Sequence, residues 1–234
     1  LAQGIVNDAT SSFDTGGYDL GTQWNPWNTI EVNNTATKRI LKLGSSTVWC
    51  VNWGANTLGL DLDAGTSTIN VVGTGAGFSA YGGQRYNVVA FPSAASTLAG
   101  FTYITHTGTG GTTEIAHLIV RNLATSAFAG TTANPLAQWS TGSNAGSWRI
   151  TDLTIEGQPN YPLTAIGAGW GSAGGALQVT NTPTLSNVTF VDFPAGGASV
   201  PWSGTRLGDG GGNTNITFPV SQTNYWVEST PGLT

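Results

Sequence analysis

The chain has 234 residues, a formal net charge of −5 and only 8% charged residues, while Gly alone fills 34 positions. Seven Lys plus Arg with no basic cluster leave no electrostatic footprint for nucleic acid or an anionic membrane surface, and no run of 18 apolar residues marks a membrane span. A content of 39% hydrophobic residues with nine Trp argues against disorder, so residues 1–234 read as one packed domain whose polar surface is built from hydroxyls and amides.

The N-terminus, Leu1-Ala2-Gln3-Gly4, lacks the charged n-region and apolar h-region of a signal peptide, and the absence of Met reads as a processed or excised piece. Residues 9–20 read as a strand, a turn at Gly16-Gly17 and another strand. After Trp24 and Trp27 come strand-like runs at 29–32, 38–43, 47–53, 58–62, 68–72 and 86–91. Each is bounded by Gly, Asn, Ser or Asp, and none shows the 3.6-residue period of a helix. The lone Cys50, among Val48, Trp49, Val51 and Trp53, excludes an internal disulfide framework and reads as a small core hydrophobe.

Three stretches of this first part, residues 1–91, resemble known modules: Arg39-Ile40-Leu41-Lys42-Leu43-Gly44-Ser45-Ser46-Thr47-Val48-Trp49, Leu60-Asp61-Leu62-Asp63-Ala64-Gly65-Thr66-Ser67-Thr68-Ile69 and Gly82-Gly83-Gln84-Arg85-Tyr86-Asn87-Val88-Val89. They are similar to modules of large β-rich proteins of bacteriophage particles (tail-fibre-like) and bacterial surfaces, which read L-x-LGSSTW, L-x-L-x-AGTSTI and GG-x-x-YNV-x-F. Asn224-Tyr225-Trp226-Val227 resembles the YWV that opens another such module. The resemblance covers residues 10–91 closely and the remainder in style. It implies a β-solenoid from a virion or cell surface and brings no catalytic motif. Trp53 and the pair Trp24 and Trp27 stand where small polar residues are expected, so packing there should differ.

Residues 92–234 are organised by a short pattern that recurs five times: Ala99-Gly100-Phe101-Thr102-Tyr103, Ala116-His117-Leu118-Ile119-Val120, Thr151-Asp152-Leu153-Thr154-Ile155, Ser186-Asn187-Val188-Thr189-Phe190 and Thr214-Asn215-Ile216-Thr217-Phe218. The second residue of each tolerates a left-handed backbone, and the third and fifth are apolar. Side chains two apart share a strand face, so the apolar pairs should point inward as stacked columns. The second positions, 100, 117, 152, 187 and 215, lie 17, 35, 35 and 28 residues apart. Such spacing predicts an all-β, right-handed parallel β-helix (β-solenoid) with long loops on one side, in which Leu153 and Val188 stack about 5 Å apart in neighbouring coils.

The long loops fall at 124–148, 157–176 and 194–213, and loops on a rigid scaffold are where binding concentrates. Their aromatics Trp139, Trp148, Tyr161, Trp170 and Trp202 are the candidate contacts for a cell-surface glycan, because aromatic faces stack on sugar rings and the surrounding Asn, Thr and Ser supply hydrogen bonds. For an enzyme, a β-helix polysaccharide depolymerase or lyase, the candidate catalytic group is Asp192, Asp209 and Arg206. Two His, His106 and His117, without a zinc-like cluster point to no metal site, and no motif calls for a cofactor. The expected function is therefore a non-catalytic structural protein of an extracellular assembly at a virion or cell surface: a fibre, spike or decoration protein of a phage or virus particle, or a bacterial surface adhesin. A solenoid has an open edge at each end, so the expected partners are copies of itself, as in a trimer, or other particle proteins.

Overall fold

The computed structural model describes residues 4–5, 12–32, 39–55, 59–73, 77–92, 101–107, 110–121, 136–140, 146–159, 162–168 and 177–219. Among these the chain is all-β with no helix, and so with none long and apolar enough to cross a membrane. In chain order the strands are β1 (Gly4–Ile5), β2 (Ser12–Asp14), β3 (Trp27–Glu31), β4 (Arg39–Lys42), β5 (Thr47–Gly54) and β6 (Leu60–Asp63). There follow β7 (Thr68–Val71), β8 (Gly77–Tyr81), β9 (Arg85–Phe91), β10 (Phe101–Thr107), β11 (Thr112–Arg121) and β12 (Leu136–Ser140). The last five are β13 (Ser147–Glu156), β14 (Leu163–Ala168), β15 (Leu177–Val179), β16 (Thr184–Val191) and β17 (Thr205–Asp209).

These strands pair in parallel throughout, forming a 14-stranded curled sheet and a separate three-stranded sheet, β2-β4-β6. The large sheet contains two stacks, β1-β3-β5-β7-β9-β11-β13 and β8-β10-β12-β14. Long strands join them. β5 pairs with β7 through residues 47–50 and with β8 through 52–54, while β16 pairs with β13 through 184–186 and with β14 through 188–191. Because β5 and β16 each pair with a strand of both stacks, the sheet curls round an apolar interior.

Alternation along each strand fills that interior. Val48, Ile69, Val89, Leu118 and Leu153 are in register on five successive strands, and Tyr86, Ile115, Ile150 and Val179 on four. All nine are buried, each contributing about 1.5–3 kcal/mol of apolar transfer before entropy is counted. On β11 and β13 the alternation slips by one: Ala116 and His117 both face outward, as do Thr151 and Asp152, before Leu118 and Leu153 turn in again. The strands bend there without leaving the ladder. On β16 and β17 the same slip is made by left-handed residues, Asn187 (φ 53°) and Arg206 (φ 54°).

The turns of the first part stack as well. Ser46 N–H bonds to Leu43 O and Ser67 N–H to Ala64 O, closing equivalent turns one circuit apart, and Thr66 N–H reaches across to Gly44 O. A Cβ on Gly65 would run into the Gly44 carbonyl, and Gly65 has φ 54°. The buried hydroxyls within these turns satisfy one another, Ser46 Oγ donating to Thr15 Oγ1 (2.7 Å) and Thr15 Oγ1 to Leu43 O (2.9 Å).

Several expectations are corrected. The second strand expected at 18–20 is reduced to a single bridge: after the Gly16-Gly17 turn the chain moves to another stack, and Leu20 bridges Val48 in parallel. Leu153 and Val188 are not stacked, because β14 and β15 intervene and Ile155 lies against Leu185 while Val188 lies against Leu163. His117 and Asp152 sit within continuous strands, with no positive φ; Asn187 and Asn215 do have it. Tyr103 faces out, since the neighbouring Ile104 and His106 take the inward positions. Gly100 and the side chain of Phe101 lie outside the described residues.

Two core groups give testable consequences. Burial pushes the Cys50 thiol up to about 12, so it should not react with a thiol reagent at pH 8 until the protein is unfolded; native reactivity would contradict its placement. His106 is fully buried, stands edge-on to Trp148 (centroids 5.5 Å, 89°) and presses against Gly146, where no Cβ would fit. Burial holds its pKa below the ordinary 6.5, so the unfolded chain binds the proton more readily than the folded one. The contribution is fully present above pH 6.5 and is lost as pH falls towards the folded value. Denaturant midpoints measured from pH 8 to pH 5 should therefore fall more steeply for the wild type than for His106→Phe, and parallel curves would refute this.

Candidate functional site

Among the described residues the ionisable side chains cluster on the outer face of β9, β11 and β13, where register stacks side chains from different circuits. Arg85, Glu114 and Arg149 are consecutive rungs. Arg85 Nε donates to Glu114 Oε2 (2.9 Å) and Arg149 Nη1 to Glu114 Oε1 (2.8 Å), so both carboxylate oxygens are held between two guanidinium groups. At the bend, His117 Nδ1 lies 2.9 Å from Asp152 Oδ2, and Asn181 Nδ2 donates to Asp152 Oδ1 (2.6 Å). At the far end Arg121 Nε donates to Glu156 Oε2 (2.6 Å).

Beside this ladder is a concavity of about 420 Å³ bounded by Leu62, Asp63, Gly65, Arg85, Asn87 and Ala116. It exists because the small sheet stops at β6, whereas the stack of β9, β11 and β13 continues. From β8 the chain turns directly into β9 through Gly82-Gly83-Gln84, with Gln84 N–H bonding to Tyr81 O, and adds no strand beyond β6. One wall is the end of β6, where Asp63 Oδ1 accepts from Gly65 N–H (3.2 Å). The opposite wall is Arg85, whose side chain is 77% exposed, and Asn87, which donates to Ser67 O (3.2 Å).

The residues singled out in the sequence lie elsewhere. Asp209 accepts from Asn213 Nδ2 (2.6 Å) and Gly211 N–H (2.9 Å), and Asp192 lies against Gly212, so both carboxylates shape the turn after β17. Arg206 donates instead to Asn187 Oδ1 (3.3 Å), three residues or about 10 Å along the strand from Asp209. Among the described residues no ion pair links the three, and they form no acid–base cluster. Trp148 and Trp202 are fully buried, which corrects their assignment as glycan contacts: Trp148 packs on His106 and Phe78, Trp202 on Phe193, and an enclosed indole offers no face to a sugar. Trp139 lies on β12 with its side chain outside the described residues, as are Tyr161 and Trp170 altogether.

The ion-pair ladder was missed in the sequence although its signal was present. Glu114 and Arg149, and Arg121 and Glu156, are each separated by 35 residues, the same interval as His117 and Asp152. Once one rung is placed, the others follow. Among the described residues no group of His, Cys, Asp and Glu could hold a metal ion. Comparisons of the chain with family models, with curated proteins and with solved structures found no match.

Because these pairs are partly exposed, each should be worth no more than about 1 kcal/mol. A double-mutant cycle of Glu114→Gln and Arg149→Ala, read by chemical denaturation, should give a coupling of about 0.2–1 kcal/mol that shrinks as salt is raised towards 1 M. A salt-independent coupling would show that the pair is desolvated.

Proposed function

We propose that this chain is a right-handed parallel β-helix serving as a non-catalytic structural element of an extracellular assembly, as a fibre, spike or decoration protein of a phage or virus particle. The observation that carries the reading is the register of the parallel stacks, held from Val48 through Leu153 over five strands, which is the stacking that an elongated scaffold needs. Right-handedness is supported by the general rule for parallel crossovers. The paired charges on the described outer face, and the engagement of Arg206 with Asn187 while Asp192 and Asp209 shape the turn after β17, favour a scaffold over a depolymerase.

Association with copies of itself or with other particle proteins is supported by the first circuit. Phe13 continues the apolar column of Leu41 and Leu62 yet is 38% exposed, so the column reaches the end of the small sheet uncovered. Such an end favours a partner, because solenoids are normally capped or joined there. The location implied is a virion or cell surface.

Sedimentation velocity of the purified chain, with immunogold labelling of particles and cells from its source, tests the reading. A defined oligomer, such as a trimer, with label on a particle or surface is the expected result. A monomer that labels neither, or one that releases sugar fragments from host glycans, would overturn it.

A further inference from the structure

We propose that the open edge of β6 accepts an extended segment of a partner polypeptide as a fourth parallel strand of the small sheet, laid into the concavity beside Arg85. The inference stands on this edge alone and does not depend on which assembly the protein serves.

The backbone gives the first argument. Arg39 N–H bonds to Gly59 O (2.7 Å) and Leu43 N–H to Asp63 O (2.9 Å), so the odd-numbered residues of β6 direct their peptide groups towards β4. In a parallel strand the peptide groups of alternate residues point to opposite edges, so those of Leu60 and Leu62 point away from β4. Among the described residues β6 has no second strand neighbour. The free edge therefore presents two N–H donors and two carbonyl acceptors at strand spacing, a pattern that another extended backbone matches.

The side chains give the second. Leu62 is the last member of the column that runs from Phe13 through Leu41, and it lines the concavity, so an apolar residue on the incoming strand would extend the column. Outward-facing residues of that strand would lie between Asp63 on one wall and Arg85 on the other, with Ala116 and Gly65 leaving room for them. The partner segment is thus extended, apolar at alternate positions and polar between them. Arg85 is already held by Glu114 through Nε, which leaves its terminal nitrogens for the incoming chain.

The test uses the full chain and, as probe, a labelled, end-blocked peptide of residues 39–44, Arg-Ile-Leu-Lys-Leu-Gly. This sequence already pairs in parallel with β6 at its other edge, placing Leu41 against Leu62 and Lys42 against Asp63. Fluorescence anisotropy should show saturable binding that weakens at least about tenfold when the peptide is N-methylated at the amides facing β6, consistent with lost strand hydrogen bonds. Ala116→Trp, which fills the concavity without touching the core, should weaken it similarly, as should Leu62→Lys. Hydrogen exchange should slow at the Leu60 and Leu62 amides on binding. Absence of saturable binding, indifference to N-methylation or to Ala116→Trp, or unchanged exchange at both amides would overturn the proposal.

Discussion

In a stack of parallel strands every inner strand finds its backbone partners one circuit before and one circuit after itself. Since side chains alternate with period two, an error of one residue in any circuit would turn a whole strand inside out. The chain meets this constraint while its strands differ in length, because paired residues keep the same inward and outward parity from one strand to the next. The bends obey the same rule: His117 lies on Asp152, and Asn187 and Arg206 lie at equivalent positions of β16 and β17. Bends that stack keep the curled sheet continuous, and the core, the turns and the surface ladders all inherit their alignment from them.

This explains which features were legible in the sequence. Strand identity and inward parity are local properties, and they were readable at Leu118 and Val120, Leu153 and Ile155, and Val188 and Phe190, all of them buried, although the same pattern failed at Tyr103, which faces out. The Gly-Ser-Ser and Gly-Thr-Ser turns were readable for a related reason. Their small residues are required by backbone stacking, as at Gly65 over Gly44, so the signal does not depend on the rest of the fold.

Stacking partners are a property of the whole circuit, and there the sequence was less informative. The equal intervals from 117 to 152 and from 152 to 187 look alike, yet the first is a true register and the second is not, because β14, β15 and the start of β16 all lie between residues 157 and 187. Aromatic exposure was equally hard to read. Trp148 and Trp202 lie next to polar, Gly-rich sequence, but each closes a part of the core, whereas Trp24 on a tight turn is 87% exposed. The candidate site fell between these cases: its acids and bases were visible as residues, but their pairing required the register to be applied along whole strands.

Register also accounts for where this surface can be reached. A closed barrel has no free strand edge, and a uniform solenoid has them only at its two ends. Here the stacks differ in length. Among the described residues the small sheet ends at β6 while the stack beside it continues through β9, β11 and β13, which leaves an edge part-way along the body. The long neighbouring stack supplies one wall, with Arg85 fixed by Glu114 and Ala116 at the bend, and the short stack supplies the edge of β6, which has no further strand partner among the described residues, and the half-buried Leu62. The recess is thus produced by a mismatch between stacks, without a dedicated loop. Its depth follows from strand spacing, about 4.8 Å for each omitted strand, and its chemistry is that of an unfinished sheet.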